Sequence, residues 1–307
     1  MKAAVVTEYG SPLRVVEVDR PLLAPDSVMI EVHASSVNPI DSLIVHGVVK
    51  DMLPYQLPWI VGYDVSGVVV ECGSDVTTFS VSDEVFGRAD SFQAGTMAQY
   101  AVIKSHDLAK KPDNITHLQA AGVPLAGLTA WQALVEHGHL QPGEKVLIHA
   151  GSGGVGSLAI QIAKHLGAFV ATTTSESNLE FVRSLGADVA IDYKAQRFDA
   201  ELDDYDLVID TLGGDSLTRS FDVVKRGGRI VSIKGADVDG LAHKYGVTFS
   251  AFYMSPSGEM LATLADLIAA DKLRPIVDSV FSLDDVQQAF DRSDTGRARG
   301  KIIVQIR

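Results

Sequence analysis

The sequence predicts an α/β protein with two domains, one mostly β and the other built on a doubly wound parallel sheet. The chain has 307 residues, which is about two domains at roughly 150 residues each. Short strand segments separated by Gly, Pro, Asp and Ser fill the first third, whereas strands and helices alternate after residue 145. A hydrophobic content of 46% is enough for large buried cores.

The first domain is predicted over residues 1–112. Apolar segments at 28–32, 65–71 and 97–102 have the length and composition of strands. Prolines are frequent here and disfavour long helices; they include Pro21, Pro25, Pro39, Pro54 and Pro58. These features indicate a compact, mostly β domain.

The second domain is predicted over residues 113–252. It begins with a helical pattern at 118–137, interrupted near its start by Gly122, Pro124 and Gly127, and continues as alternating strands and helices. The strands are expected at 146–150, 169–174, 189–191, 206–210 and 229–233, and helices at 157–166 and 179–185. Repeated βα units of this kind form a parallel, doubly wound sheet.

The third segment, 253–307, is expected to return to the first domain rather than form its own. Its pattern predicts helices at 261–270 and 283–290 and a closing strand at 301–306.

Composition excludes several classes of partner. Lys plus Arg is 26 and Asp plus Glu is 39, a formal charge of 26 − 39 = −13, which argues against nucleic acid and anionic membranes. The single cysteine, Cys72, forms no intramolecular disulfide and no cysteine-rich zinc site. No signal peptide and no apolar run of about 18 residues is visible. We expect a cytoplasmic protein with a small-molecule partner.

A glycine-rich motif lies between a predicted strand and a predicted helix. It is Gly151-Ser152-Gly153-Gly154-Val155-Gly156 and matches G-x-G-x-x-G. In this context the glycines allow a tight turn close to a pyrophosphate, which the helix N-terminus then binds. The motif predicts a dinucleotide cofactor; the alternative is a glycine-rich turn without a ligand.

The end of the second strand of this domain favours NADPH over NADH. Sites for NADH usually have Asp or Glu about 20 residues after the glycines, to bind the ribose hydroxyls. This chain has Thr174 and Ser175 there, and the first acid, Glu176, comes later. No Arg or Lys follows immediately, and Lys194, behind Tyr193, is the candidate counter-charge for a 2′-phosphate. Candidate cofactor ligands in this region are Thr174, Ser175, Asn178 and Tyr193; alternatively, the threonines are only strand formers.

Three segments together resemble a known family. They are residues 36–41 (Ser-Val-Asn-Pro-Ile-Asp), 121–131 (Ala-Gly-Val-Pro-Leu-Ala-Gly-Leu-Thr-Ala-Trp) and 299–303 (Arg-Gly-Lys-Ile-Ile). Over essentially the whole chain, the sequence resembles the zinc-independent quinone oxidoreductase branch of the medium-chain dehydrogenase/reductase superfamily. The resemblance implies a GroES-like catalytic domain, a Rossmann domain, NADPH as cofactor and a homodimer paired through the Rossmann sheets.

The resemblance also indicates how this chain differs from zinc alcohol dehydrogenases. Where those enzymes have C-G-x-D and G-H-E, this chain has Asn38-Pro39-Ile40-Asp41 and Gly62-Tyr63-Asp64. Zinc prefers Cys sulfur, His nitrogen and carboxylate oxygen, and Asn and Tyr are poor replacements. No metal site is therefore expected.

The predicted reaction is hydride transfer from NADPH to the β-carbon of α,β-unsaturated carbonyls, such as 2-alkenals and enones. The alternatives are a quinone reductase that uses the same site and an inert NADPH-binding protein. Asn38 and Tyr63 are the catalytic candidates, Asn38 as a hydrogen-bond donor to the substrate oxygen. Asn38 could also be only a turn residue, and Tyr63 could simply fill the space left by zinc. Tyr55 falls later than the tyrosine that donates a proton in some relatives, so water is a possible proton source.

Further cofactor ligands are implied by the resemblance alone. They are Thr129, Leu212, Gly213, Ile233, Gly235, Phe252, Tyr253 and Lys301. For each of them the alternative is a loop residue without ligand contact.

Overall fold

The computed structural model describes residues 1–91, 95–235 and 240–307, and contacts within the chain divide it into two units. The first unit comprises Met1–Leu128, Pro256–Asp271 and Pro275–Arg307. The second comprises Thr129–Ser255 and Lys272–Arg274. The chain therefore passes into the second unit after residue 128 and back into the first after residue 255. The sequence placed these two domain limits after residues 112 and 252.

The strands are numbered in chain order. They are β1 (Lys2–Val6), β2 (Arg14–Glu17), β3 (Ser27–Val37), β4 (Trp59–Ile60), β5 (Asp64–Cys72), β6 (Glu84–Arg88), β7 (Tyr100–Lys104), β8 (Leu108–Lys110), β9 (Lys145–Ile148), β10 (Phe169–Thr174), β11 (Val189–Asp192), β12 (Tyr205–Asp210), β13 (Val224–Ser232), β14 (Thr248–Ala251), β15 (Val277–Ser282) and β16 (Lys301–Gln305).

The helices are numbered in the same way. They are α1 (Pro39–Val45), α2 (His117–Ala121), α3 (Pro124–Trp131), α4 (Gly154–His165), α5 (Leu179–Ser184), α6 (Phe198–Glu201), α7 (Gly214–Ser220), α8 (Leu241–Tyr245), α9 (Gly258–Ala269) and α10 (Val286–Asp294). Short 3₁₀ turns occur at Ser105–Asp107, Glu176–Asn178 and Leu283–Asp285, and a π-helical segment at Gln132–His137.

The first unit is built on a large, mostly antiparallel sheet. Its strand order in the described residues is β15-β16-β3-β5-β6-β8, and β7 also pairs with β3. A small sheet has the order β2-β1-β4. The start of β16 pairs with the end of β3, with Ile302 opposite Val37, and β5 pairs with β3 on the other side, with Ser66 opposite Ala34. Both partners are antiparallel to β3, so their first residues lie at the end of the sheet where β3 finishes.

The second unit contains the doubly wound parallel sheet that the sequence predicts. Its described strands follow the order β11-β10-β9-β12-β13-β14, and every pair is parallel. The strand order reverses between β9 and β12, and in open sheets of this type ligands bind beyond the carboxyl ends of the strands at such a point. The predicted α/β fold class is thus confirmed.

The helical segment predicted over 118–137 is helical but divided, and the division falls at Gly122 and Pro124, two of the residues expected to interrupt its start. The chain forms α2, then α3, then the π-helical segment. Gly122 caps α2, and Pro124 begins α3 because its ring tolerates only the first turn of a helix. The apolar spacing continues across the break, so Gly122 and Pro124 are what mark it in the sequence.

Among the described residues, the longest helices are too short, and too mixed in character, to span a lipid bilayer.

Candidate active site

The glycine-rich loop connects the end of β9 to the start of α4, in the second unit. A Cβ on Gly151 would lie 2.0 Å from Oγ1 of Thr172, and one on Gly156 would lie 2.3 Å from the carbonyl oxygen of Ala150. A side chain at Gly151 would therefore clash with β10, and one at Gly156 would clash with the loop itself. The tight loop, followed by the N-terminus of a twelve-residue helix, fits the pyrophosphate of a dinucleotide.

Four predicted cofactor ligands, Ser152, Thr174, Ser175 and Asn178, lie together beside this loop. Thr174 Oγ1 donates to Ser152 Oγ at 3.0 Å. Asn178 Nδ2 donates to Ser152 Oγ at 3.3 Å and to Ser175 Oγ at 3.2 Å. Thr174 is buried, so its hydroxyl serves the protein, whereas Ser175 is partly exposed. A small polar cluster thus occupies the end of β10.

A pocket of about 300 Å³ opens next to this cluster. It is lined by Ser175, Glu176, Ser177, Asp192, Lys194 and Ala195. Lys194 contributes a positive charge to the pocket. Asp192 Oδ1 accepts the backbone N–H of Lys194 at 3.1 Å. Tyr193 is 58% exposed. The pocket combines hydroxyls, a lysine and two carboxylates.

Asp210 organises the turns that follow β12 and β13. Its Oδ1 accepts the backbone N–H of Leu212 at 3.1 Å and of Gly213 at 2.9 Å. Its Oδ2 accepts the Ser232 hydroxyl at 2.6 Å, and Ser232 Oγ accepts the N–H of Gly235 at 3.1 Å. Asp210 and Ser232 were missed from the sequence, although a polar residue ending each apolar strand was a signal for them.

The other predicted ligands in the second unit share no single cluster. Phe252 stacks on His137 with ring centroids 4.3 Å apart. Tyr253 is 83% exposed, Thr129 is buried in α3, and Ile233 is partly buried after β13. Their contact with a cofactor stays a prediction.

Asn38 lies in the first unit, between β3 and α1, and only 1% of it is exposed. The Lys301 ammonium donates to Asn38 Oδ1, and Asn38 Nδ2 donates to Asp64 Oδ2 at 2.8 Å. Lys301 Nζ also donates to the Val37 carbonyl at 3.1 Å and to Asp64 Oδ2 at 3.4 Å. Its three hydrogens thus have three acceptors inside the first unit, which argues against the predicted role of Lys301 as a cofactor ligand.

Asp64 is the acceptor at the centre of this network. Besides Asn38 and Lys301, it accepts the Ser36 hydroxyl at 2.5 Å and, through Oδ1, the backbone N–H of Leu125 at 2.7 Å. The carboxylate is fully buried, and the Lys301 ammonium compensates its charge. Asp64 was not among the predicted site residues, although it directly follows Tyr63 in the Gly-Tyr-Asp segment.

Asp41 is a second buried carboxyl group near Asn38. Its Oδ2 accepts the backbone N–H of Asn38 at 2.7 Å, whereas Oδ1 has no hydrogen-bond partner among the described residues. Burial is the main cause that raises the pKa of Asp41 to about 7, and the nearby Asp64 raises this pKa further.

Tyr63 is fully packed and contacts a second tyrosine. Tyr55 donates its hydroxyl proton to the Ser91 carbonyl at 2.5 Å, so the Tyr63 hydroxyl donates to the Tyr55 hydroxyl. Burial raises the pKa of both phenols. The Arg88 guanidinium lies 4.5 Å from the centroid of the Tyr63 ring. Tyr63 is 1% exposed, and Tyr55 is partly exposed.

The residues of the first unit do not fit a zinc ion. Asn38 and Tyr63 offer an amide and a protonated phenol, and the Lys301 ammonium already contacts the Asn38 oxygen and would repel a metal cation. In the described part of the chain, no group of three or more His, Cys, Asp or Glu side chains could hold a metal ion.

Two family models match the chain. Residues 24–113 match the alcohol dehydrogenase GroES-like domain, and residues 185–304 match the zinc-binding dehydrogenase domain.

Curated relatives and solved structures match nearly the whole chain. A 2-methylene-furan-3-one reductase of Solanum lycopersicum and a chloroplastic NADPH-dependent alkenal/one oxidoreductase of Arabidopsis thaliana are each 37% identical, over 99% of this chain and 79% of theirs. The structure of a quinone oxidoreductase from Coxiella burnetii superposes with a TM-score of 0.93 at 36% identity, covering 100% of this chain and 99% of that one.

Proposed function

This chain belongs to the zinc-independent quinone oxidoreductase branch of the medium-chain dehydrogenase/reductase superfamily, an NAD(P)H-dependent oxidoreductase family, and we propose that it reduces α,β-unsaturated carbonyl compounds with NADPH. The observation that carries the proposal is the buried Asn38 amide, held between Lys301 and Asp64. The names of the tomato and Arabidopsis relatives support the same substrate class.

The polar side chains of Asn38 and Tyr63 suit a conjugated carbonyl substrate better than an alcohol substrate. Oxidising an alcohol requires a group that stabilises the alkoxide, which zinc supplies in related enzymes as a Lewis acid. Asn38 and Tyr63 lack that capacity. A conjugated double bond instead accepts hydride directly, and it needs only hydrogen bonds to its carbonyl oxygen. When bound, NADPH supplies the hydride for the β-carbon.

In this proposal, Asn38 acts on the carbonyl oxygen. An amide nitrogen carries two hydrogens, and the contact with Asp64 uses one of them. The other hydrogen is donated to the oxygen as negative charge develops on it. The hydroxyl protons of Tyr63 and Tyr55 are both donated within the protein, to Tyr55 and to Ser91 respectively. A water molecule is therefore the proposed source of the proton that reaches the α-carbon.

The preference for NADPH is supported by the pocket beside β10. Ser175, Ser177 and Lys194 line it, and hydroxyls with an ammonium group suit a 2′-phosphate. Glu176 and Asp192 line the same pocket, but Asp192 already accepts a backbone N–H. Lys194 is the proposed positive charge that pairs with the 2′-phosphate of NADPH.

A substrate panel tests the proposal and its alternatives. The purified protein is mixed with NADPH and, in turn, 2-alkenals, enones, quinones and saturated aldehydes, while NADPH absorbance is followed. Faster oxidation with 2-alkenals or enones than with quinones supports the proposal. The Coxiella burnetii neighbour, named a quinone oxidoreductase, makes quinone reduction the second candidate. NADPH binding without oxidation by any acceptor would leave the inert NADPH-binding protein.

We also propose a homodimer and a cytoplasmic location. Homodimers are typical of this branch. The Arabidopsis relative is chloroplastic, so a tagged copy of this chain in its own cell is the direct test of location. Sedimentation of the purified protein at several concentrations tests the dimer.

A further inference from the structure

We propose that the buried Lys301–Asp64 ion pair positions the Asn38 amide for catalysis. Lys301 and Asp64 are then positioning residues, and Asn38 alone contacts the substrate. The proposal rests on the proposed reduction of a conjugated carbonyl and adds to it the group that orients the hydrogen-bond donor.

The three residues meet because three neighbouring strands bring their ends together. Asn38 follows the last residue of β3, Lys301 is the first residue of β16, and Asp64 is the first residue of β5. Since β16 and β5 pair with β3 on opposite sides and run antiparallel to it, their first residues flank the end of β3. The sheet thus places a cation on one side of Asn38 and an anion on the other.

This arrangement permits one orientation of the amide. The oxygen and nitrogen ends of an Asn side chain have nearly the same shape, so packing alone distinguishes them poorly. Here Oδ1 faces the Lys301 ammonium and Nδ2 faces the Asp64 carboxylate. Rotating the amide by half a turn would place an oxygen against the carboxylate and an NH₂ group against the ammonium.

Burial strengthens the preference of the Asn38 amide for this one orientation. Asn38, Asp64 and Lys301 are each at most 6% exposed, so water screens the charges little. Additional contacts hold both charged groups: Ser36 and Leu125 donate to Asp64, and Lys301 donates to Val37. Lys301 therefore acts through Asn38 and does not reach the substrate itself.

The kinetic test is a double-mutant cycle. Lys301→Met removes the ammonium and keeps the length of the stem, and it is combined with Asn38→Ala. We expect Lys301→Met to lower kcat for an enone by ~10- to 100-fold, with little change in the KM for NADPH. In the Asn38→Ala background the same substitution should lower kcat by less than about twofold, because the group it orients is gone. Equal losses in both backgrounds would overturn the proposal.

A matched control separates positioning from general damage to the fold. Lys111 is another buried lysine of the first unit, and its ammonium donates to the Pro112 and Ile115 carbonyls. Lys111→Met should lower the thermal midpoint without the selective loss of kcat. If Lys301→Met does not fold, Asp64→Asn, which keeps the shape of the side chain, takes its place in the cycle.

A readout without turnover keeps this inference separate from the proposed function. The side-chain NH₂ resonances of Asn38 are identified by their loss in Asn38→Ala. Lys301→Met should shift them and speed their hydrogen exchange, and Lys111→Met should not. If the wild type reduces no conjugated carbonyl but these resonances respond as described, the proposed function fails and the positioning stands. Unchanged resonances in Lys301→Met would contradict the positioning.

Discussion

The hydroxyl of Tyr63 donates to the hydroxyl of Tyr55, and Tyr55 in turn donates to the Ser91 carbonyl. Both phenol protons are thereby held within the protein, and burial raises the pKa of each phenol. This chain of hydrogen bonds ends on a backbone oxygen rather than on a proton source. Tyr63 therefore serves the apolar core of the first unit, where it packs with Trp59 and Met97, more directly than it serves proton transfer.

Removing either hydroxyl should change turnover only modestly. Tyr63→Phe and Tyr55→Phe are each expected to lower kcat for an enone by less than about tenfold, because general acid catalysis by a side chain usually contributes 10²-fold or more. Steady-state kinetics measure the effect. A loss of a hundredfold or more in Tyr55→Phe alone would make Tyr55 the proton donor in place of water.

The pocket beside β10 should determine the choice of cofactor. Lys194→Met is expected to weaken NADPH binding by about tenfold, the loss of roughly 1.4 kcal/mol expected for one charge-assisted contact, and to leave NADH binding unchanged. Lys244→Met, at a lysine on α8 outside this pocket, is the matched control. Fluorescence titration with both cofactors measures the affinities.

A carboxylate introduced into the same pocket gives an independent check. Ser175→Asp should repel the 2′-phosphate and reverse or abolish the preference for NADPH. Ser175 is a better position than Thr174, because Thr174 is buried and donates to Ser152. A wild type that prefers NADH would refute the argument from this pocket.

The buried Asp41 carboxyl should make stability depend on pH. Its pKa is about 7 in the folded protein and near 3.8 when exposed, so between these values the folded state binds more protons. The free energy of unfolding therefore falls as pH rises from 4 to 7, by about 1.4 kcal/mol per unit of pKa difference. Asp41→Asn lacks this contribution. As pH rises from 4 to 7, the free energy of unfolding of the variant should therefore increase relative to that of the wild type.

Urea unfolding of both proteins between pH 4 and 7 measures this difference. Burial also lowers the pKa of His149 to about 4, which acts in the opposite direction, but His149 is present in both proteins. The difference between the two curves therefore isolates Asp41. A constant difference across the range would show that Asp41 is ionised throughout.

Removal of metal ions should leave the activity unchanged. Asn38, Tyr63 and the Lys301 ammonium do not form a zinc site, so overnight dialysis against a chelator is expected to change kcat by no more than the error of the assay. Loss of activity that added zinc restores would contradict this account of the first unit.

The sequence predicted the fold well where strands are buried on both faces. Residues 146–148 and 207–209 are continuous apolar runs, as parallel strands covered by helices require, and they lie in β9 and β12. Gly122 and Pro124 marked the break between α2 and α3, but the apolar spacing continues through it and gave no exact helix ends. Local patterns thus located the elements better than their ends.

The candidate site was only partly predictable. Asn38 and the glycine-rich loop became candidates because each lies in a short motif with a local spacing. The contact of Asn38 with Lys301 depends on which strands are neighbours, and the start of β16 is far from β3 in sequence. A polar residue at the end of an apolar strand marks the position of Asp210, but its role in accepting two backbone N–H groups depends on the conformation of the turn, which the sequence does not reveal.

Isotope transfer tests the central claim most directly. The protein is incubated with a 2-alkenal and NADPH that carries deuterium at the transferable position of the nicotinamide, and the product is analysed by NMR and mass spectrometry. The account predicts a saturated aldehyde with one deuterium on the β-carbon and a proton from water on the α-carbon. An allylic alcohol with deuterium on the former carbonyl carbon would contradict it.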